Sequence, residues 1–249
     1  MDLLSLFLLT LLVFIVAALY SSVGHGGASG YLAALSLFAF SPLEMSSTAL
    51  VLNLLVAGLA LFAYANAHHF SFKLAWPFIL FSIPAAFLGS LLKVSHQIYF
   101  LLLALALLIA ALRLFIPVKE IGLEFQRRAL RLSVALPLGG FIGVLSGIVG
   151  VGGGIFLSPL LLLMRWATPK ETAAISSFFI LANSLAGLLG RAIDNSIEWH
   201  LLAPLVLVAF VGGLLGSQLG ANRFTGIQIK RLLACVLVLA ATKLVILSF

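Results

Sequence analysis

Two glycine clusters interrupt an otherwise apolar chain at matching places: SVGHGGASGYLA at residues 22–33 and IVGVGGGIFLSP at residues 148–159. Glycine in a helix interior costs about 1 kcal/mol relative to alanine, so each cluster predicts a break between two helices. The apolar segments that follow the clusters, 28–40 and 154–166, are shorter than the roughly 20 residues that a helix needs to cross a bilayer. We therefore predict short or broken helices inside a membrane.

The composition of the chain is that of a protein that lies in a lipid bilayer. Of its 249 residues, 63% are hydrophobic and 8% are charged, whereas soluble domains carry roughly 25% charged residues. The apolar runs lack the alternation of a membrane β-barrel, which predicts an all-α polytopic fold. The net charge of +7 is interpreted as a property of cytoplasmic loops, so nucleic acid is not an expected partner. The single cysteine, Cys235, is interpreted as a packing residue.

The chain divides into two similar halves. Residues 1–117 and 132–249 are predicted to be two transmembrane repeats of about five helical segments each, joined by a charged cytoplasmic linker at 118–131. Val23-Gly24 matches Val149-Gly150, Ser41-Pro42 matches Thr168-Pro169, and Asn53 is matched to Asn183. A repeat of about half the chain length is typical of duplicated transporters. The predicted segments are 3–23, 28–40, 44–66, 74–92, 97–117, 132–149, 154–166, 171–190, 200–220 and 229–248.

The basic residues predict the orientation of the two repeats. If the central linker is cytoplasmic, eleven of the fourteen Lys and Arg residues lie on the cytoplasmic side, leaving Lys93, Arg191 and Lys243 outside. This bias follows the positive-inside rule. The two repeats are then inverted in the cell membrane, with eight full spans, two short segments and both termini outside. Nothing in the sequence indicates an oligomeric state.

The broken segments predict a site for a small anion. A helix that begins inside the membrane leaves amide groups without partners and carries a partial positive charge at its N-terminus. Glycine lets a ligand approach the backbone closely, and the two helix starts, near Ala28 and Gly154, are predicted to point at one another. The alternative is that the glycines serve helix packing, as at Gly143 and Gly147. The candidate substrate-binding residues are Gly24, His25, Gly26, Gly27, Ser29, Asn53, Gly150, Gly152, Gly153, Gly154, Ser176, Ser177 and Asn183.

Several polar candidates have two interpretations. His25 would take a proton together with the anion, or it would cap the broken helix. Asn53 and Asn183 would brace a broken helix or offer an amide to the substrate. Ser176 and Ser177 would donate to an oxyanion or bond back to their own helix.

Residues outside the glycine clusters contribute weaker indications. Arg191 would draw anions to the outer mouth or pair with Asp194 or Glu198 in a loop. Gln218 is interpreted mainly as packing, and the His-His pair at 68–69 does not indicate a metal site. The sequence contains no recognised catalytic motif, so neither an enzyme nor a cofactor is predicted. It also lacks intramembrane carboxylates, which disfavours a cation carrier.

The two glycine motifs resemble those of the sulfite exporter TauE/SafE family of membrane permeases. SVGHGGASG and GIVGVGGGIFLSPLLLL are each followed by a proline-containing turn and a helix rich in small residues, PLEMSSTALVLN and PKETAAISSFFILANSLAG. The first motif departs more from the family pattern, because it reads Gly-His-Gly-Gly. The resemblance implies transport of small sulfur-containing anions such as sulfite or organosulfonates, coupled to a proton or another ion. A non-transporting scaffold, a channel-like component and a cation carrier remain as alternatives.

Overall fold

The protein is all-helical in the residues that the structure describes. The computed structural model describes residues 3–38, 40–92, 94–115, 127–193 and 199–222, with the single positions 238 and 242. These ranges contain α1 (Leu3–Ser21), α2 (Ala28–Leu37), α3 (Pro42–Asn66), α4 (Phe72–Leu91), α5 (His96–Phe115), α6 (Leu132–Val149), α7 (Gly154–Leu163), α8 (Pro169–Ala192) and α9 (Trp199–Asn222).

The observed helices agree closely with the segments predicted from the sequence. Six of the described helices, α1, α3, α4, α6, α8 and α9, are long and apolar enough to cross a membrane. The all-α polytopic prediction is therefore confirmed, and the chain is a multi-pass membrane protein. The nine predicted segments from 3–23 to 200–220 all appear, with ends within three residues of the predicted ones. The tenth, 229–248, lies outside the described residues except for its two single positions.

The two segments after the glycine clusters are short, as predicted. Helices α2 and α7 have ten residues each, so each is about 15 Å long at 1.5 Å per residue, half the thickness of a bilayer core. Each begins after a glycine with a left-handed backbone, Gly27 with φ 95° and Gly153 with φ 80°. Residues with a Cβ rarely adopt this conformation, which explains why glycine stands at both breaks.

The helices that follow α2 and α7 begin with the same local structure. Ser41 and Glu44 form a capping box at the start of α3, and Thr168 and Glu171 form one at the start of α8. In each box the hydroxyl and the carboxylate bind the free backbone amides of the first turn. The repeated Ser-Pro and Thr-Pro motifs are therefore helix starts, and they align α3 with α8 residue by residue.

This alignment corrects one sequence match. Because α3 and α8 are unbroken, the register set by their capping boxes places Ile180, and not Asn183, at the position of Asn53. The contacts agree, since Gly26 of the first break lies against Asn53 and its counterpart Gly152 also lies against Ile180. The proposed match of Asn53 to Asn183 is therefore wrong by almost one helical turn. The sequence match paired the two asparagines because they are the same residue type, whereas the alignment of α3 with α8 is set by where each helix starts.

Glycine stripes pack two pairs of helices closely. On α6, three glycines spaced four residues apart lie against the backbone of α4, and on α9 three glycines lie in the same way against the backbone of α1 and of the residue that follows it. Small residues at this spacing allow helix backbones to approach within a membrane, so the packing interpretation holds for Gly143 and Gly147. The glycines are Gly139, Gly143 and Gly147 of α6, and Gly212, Gly216 and Gly220 of α9.

The helix contacts follow the repeat. By sequence α6 is the counterpart of α1 and α9 that of α4, so the α4–α6 and α1–α9 pairs are one interface formed twice. Helices α3 and α8, which are also counterparts, cross in antiparallel order, with Leu50 against Gly187 and Asn53 against Ser184. Opposite directions of counterpart helices are compatible with inverted repeats. The inversion, the outward termini and the repeat boundaries remain predictions.

Polar side chains lie inside the bundle. Leu88, Phe141 and Leu207 are at least 60% exposed, whereas Asn53 and Asn183 are fully buried. An apolar exterior suits contact with lipid, and buried polar groups within membrane helices commonly mark a functional site. The interior between the two breaks is therefore where a site is expected.

Candidate functional site

Asn53 of α3 joins the two breaks. Its side-chain oxygen accepts a hydrogen bond from the backbone amide of Ala28, the first residue of α2, at 3.2 Å. Its side-chain nitrogen donates to the carbonyl of Val151, in the second break, at 3.4 Å and to the hydroxyl of Ser184 in α8 at 3.0 Å. One buried amide thus caps the first broken helix and holds the backbone of the second break beside it.

His25 extends from the first break to the second repeat. Its Nδ1 lies 3.0 Å from the Val23 carbonyl, and its Nε2 lies 2.9 Å from the Ser158 hydroxyl of α7. A carbonyl can only accept, so Nδ1 carries a hydrogen and Nε2 of the neutral ring accepts from Ser158. The Ser158 hydroxyl lies 2.8 Å from that of Ser176 in α8. The result is a chain of hydrogen bonds from the first break through α7 to α8.

A small cavity lies between the breaks. Its volume of about 10 Å³ is close to the least that admits one water molecule. The first half supplies its polar wall and the second half an apolar wall of Val151, Ile155 and Ile180. The first-half lining residues are Tyr20, His25, Gly26, Gly27, Ala28, Ser29 and Asn53.

The cavity therefore contains five of the predicted site residues: His25, Gly26, Gly27, Ser29 and Asn53. An oxyanion is several times larger than one water molecule, so the observed conformation is closed to such a ligand. Entry of an anion requires the two breaks to move apart.

A buried hydroxyl without a partner lies beside the first break. Tyr31 is fully buried, and its hydroxyl has no hydrogen-bond partner among the described residues. A Cβ built on Gly27 would lie 2.9 Å from this hydroxyl, which places the phenol against the break itself. Buried polar groups are nearly always hydrogen-bonded. The Tyr31 hydroxyl is thus a donor that a ligand at the start of α2 can use.

The remaining glycines of the breaks pack against the opposite repeat. Gly24 lies against Ala173 of α8, and Gly150 lies in the equivalent way against Ser46 of α3. The Ser177 hydroxyl lies 2.8 Å from the Gly24 carbonyl, so Ser177 braces the first break and does not line the cavity.

The glycines around the start of α7 lie next to the cavity walls. Gly152 lies against the Asn53 amide, and Gly154 lies against Ile180. Gly153 is enclosed by Phe179 and Ile142, whose atoms lie 2.7 and 2.8 Å from a Cβ built on it. There is consequently no room for a side chain at the start of α7.

Asn183 is not brought to the cavity. Its side-chain oxygen accepts a hydrogen bond from the Ser82 hydroxyl of α4 at 2.9 Å. Its side-chain nitrogen has no partner among the described residues. The structure thus separates the two asparagines, with Asn53 at the breaks and Asn183 between α4 and α8.

Four polar residues at or beside the breaks were not among the candidates: Tyr20, Tyr31, Ser158 and Ser184. The Tyr20 hydroxyl lies 2.8 Å from that of Ser29, and Ser158 and Ser184 bond His25 and Asn53. Ser158 lies one turn after Gly154, so its spacing on α7 was a usable signal. Tyr31 is likewise one turn after Gly27, whereas the position of Ser184 depends on how α8 packs on α3.

Arg191 caps the end of α6, a role that neither sequence interpretation included. It is 7% exposed and donates to the carbonyls of Gly147 and Ile148, at the end of α6, at 2.9 and 3.0 Å. A cation is favourable at a helix C-terminus, so Arg191 is a helix cap and not an exposed attractor of anions. Its counterpart Tyr64 donates to the Ser22 carbonyl at the end of α1, at 3.0 Å. The predicted partners of Arg191, residues 194 and 198, lie outside the described residues.

Short helices that meet at a buried polar cavity within a polytopic bundle are typical of membrane transporters. The family model described as sulfite exporter TauE/SafE matches residues 9–244. The chain belongs to this family.

Similar proteins carry transporter names. The chain is 32% identical to the probable membrane transporter protein y4hK of Sinorhizobium fredii, over 95% of this chain and 96% of that protein. It is 26% identical to the probable membrane transporter protein YdhB of Bacillus subtilis, over 90% and 91%. It is 36% identical to the sulfite exporter TauE/SafE family protein 1 of Arabidopsis thaliana, over 39% of this chain and 21% of that one. No solved structure matches the chain.

Proposed function

We propose that this protein is a secondary active transporter of a small sulfur-containing oxyanion, such as sulfite or an organosulfonate, with ion coupling and alternating access. The family supports a transporter of this type. The main structural support for the proposal is Asn53. Its hydrogen bonds hold the start of α2 and the second break together at one buried cavity.

The donors around the cavity suit an anion. The start of α2 supplies backbone amides and a partial positive charge, and the start of α7 lies beside it. The Ser29 and Tyr31 hydroxyls and the Asn53 amide add neutral donors. Such a site binds an oxyanion by hydrogen bonds and dipoles and needs neither lysine nor arginine.

Because the cavity is too small for an oxyanion, transport requires the two halves to move apart. Hydrogen bonds that join the halves at the cavity, such as those between Asn53 and Val151 and between Ser158 and His25, must lengthen or exchange when the anion enters. Opening toward one side and then the other would expose the same residues in turn. The polar groups freed by each opening are the ones that the anion can satisfy.

The proposal is tested by counterflow of radiolabelled sulfite in proteoliposomes, with an organosulfonate and sulfate as competitors. We expect saturable counterflow that the organosulfonate reduces. Absence of counterflow with folded protein would indicate a scaffold. Ion flux that neither sulfite nor the sulfonate affects would indicate a cation carrier or a channel-like component. Either result contradicts the proposal.

A further inference from the structure

His25 is a titratable side chain on the cavity wall, and it occurs in one repeat only. Its counterpart in the second break is Val151, which provides only its carbonyl, to Asn53. The imidazole also joins the two halves, because its Nε2 bonds to Ser158 of α7. A change in its protonation therefore acts on a contact between the parts that must separate.

The hydrogen-bond chain of His25 has two consistent arrangements. With a neutral ring, the Ser158 hydroxyl donates to Nε2 and accepts from Ser176, which lies 2.8 Å away. With a protonated ring, Nε2 donates to the Ser158 oxygen, and the Ser158 hydrogen turns to the Gly154 carbonyl at 2.9 Å. The network can thus accept a proton at Nε2 without losing a hydrogen bond.

The polar side chains described around His25 are hydroxyls and an amide. The polar groups around the ring come from α1, α2, α3, α7 and α8, and Tyr20 is the titratable one among them; the others are neutral hydroxyls and an amide. They are Tyr20, Ser29, Asn53, Ser158 and Ser176.

No carboxylate among the described residues lines the cavity. The acidic side chains in the described part of the chain are Glu44 and Glu171, and both are held in capping boxes at the starts of α3 and α8. An anion in the cavity would attract an imidazolium on the cavity wall, because the two charges are opposite.

We propose that His25 binds the coupling proton, and that it takes up this proton together with the anion, so that the protein is a proton–anion symporter. The inference rests on the proposed function and assigns its coupling ion. Because the coupling of two ligands is reciprocal, the anion raises the affinity for the proton and the proton raises the affinity for the anion. The proton moves from water to Nε2 and returns to water when the anion leaves.

The first test measures binding of an organosulfonate to the wild-type protein between pH 5 and pH 8. A sulfonate keeps its charge over this range, so any pH dependence belongs to the protein. We expect the dissociation constant to rise with pH, by up to about tenfold per unit, the limit for one linked proton. An affinity that does not change with pH would overturn the inference while leaving the transporter proposal in place.

The second test uses His25→Gln, with His69→Gln as the matched control because His69 lies between α3 and α4, away from the cavity. We expect His25→Gln to lose both the pH dependence of sulfonate affinity and the accumulation driven by a pH gradient, whereas His69→Gln keeps both. Gradient-driven accumulation by His25→Gln at the wild-type level would overturn the inference. If His25→Gln does not fold, the pH dependence of sulfonate binding by the wild-type protein decides whether the inference holds. Absence of counterflow by the wild-type protein would contradict the proposed function itself.

Discussion

Among single residues, the two buried asparagines have different partners and different roles in the bundle. Both were predicted as candidates because a buried amide within a membrane needs partners. The structure separates them, since Asn53 joins the breaks and Asn183 bonds Ser82 of α4. The residue type predicted that both side chains would be buried and hydrogen-bonded. The partners depend on which face of α3 or α8 packs against a break, and local sequence does not contain that information.

The first prediction compares Asn53→Ala with Asn183→Ala. Removal of Asn53 leaves the Ala28 amide and the Val151 carbonyl without this partner, and an unsatisfied buried group costs about 1–3 kcal/mol. Asn183 makes one described hydrogen bond, to Ser82, so its loss is expected to cost less. Thermal unfolding in detergent should show a clearly larger decrease in Tm for Asn53→Ala. Equal decreases would mean that Asn53 does not hold the breaks together.

The second prediction concerns Gly153, where both backbone and space require glycine. Gly153→Ala places a Cβ 2.7 Å from Phe179 at a residue with φ 80°, so we expect a loss of several-fold or more in sulfite counterflow. The matched control is Gly58→Ala in α3, where a new Cβ would meet Leu181 at an ordinary 3.6 Å. That variant should keep wild-type counterflow. Normal transport by Gly153→Ala would show that the geometry of the second break is not required.

At the scale of elements, helix ends were predictable and helix pairing was not. Glycine breaks and capping boxes are local signals, so the starts of α2, α3, α7 and α8 follow from a few residues each. The pairing of α4 with α6 and of α1 with α9 joins segments that are far apart in sequence. The glycine stripes indicated close packing but not the partner helix.

The third prediction tests the stripe between α4 and α6. Gly143→Ala would place a Cβ 2.5 Å from the Ser82 carbonyl oxygen of α4, so the two helices must separate. The neighbouring Gly140 offers a control, because its Cβ would meet the Phe81 side chain at 3.5 Å. We expect Gly143→Ala to lower the unfolding temperature and Gly140→Ala to leave it nearly unchanged. The reverse order would contradict the packing of this interface.

The fourth prediction compares the two side chains that cap the helices before the breaks. Arg191→Leu removes two hydrogen bonds and a positive charge from the end of α6, whereas Tyr64→Phe removes one hydrogen bond from the end of α1. Hydrogen bonds to charged groups contribute about 1.5–3 kcal/mol and neutral ones about 1 kcal/mol. Unfolding measurements should therefore show the larger loss for Arg191→Leu. A loss of anion affinity by Arg191→Leu at unchanged stability would instead support direct attraction of anions.

At the scale of the whole molecule, the duplication was visible in the sequence and its asymmetry was not. The matching glycine clusters and capping motifs predicted two equivalent halves. The cavity between them has a polar wall from the first half and an apolar wall from the second, because Asn53 and His25 face Ile180 and Val151. A repeat alignment shows each difference, but only the packed structure shows that these differences meet in one cavity.

The fifth prediction tests the orientation of the repeats. In a Cys235→Ser background, a cysteine in place of Lys119 is expected to react with a membrane-impermeant thiol reagent only from the cytoplasmic side. A cysteine in place of Asp2 should react only from outside, because the termini are predicted to lie there. Labelling of both positions from the same side would contradict the inverted arrangement.

An anion site between the two breaks is best tested by counterflow of radiolabelled sulfite in Asn53→Asp, with Asn183→Asp as the matched control. Both changes replace a buried amide by a carboxylate of nearly the same shape, but only Asn53 lines the cavity between the breaks. If an anion binds there, a negative charge at Asn53 repels it, so counterflow should be lost in Asn53→Asp and largely kept in Asn183→Asp. Wild-type counterflow by a folded Asn53→Asp would contradict an anion site between the two broken helices.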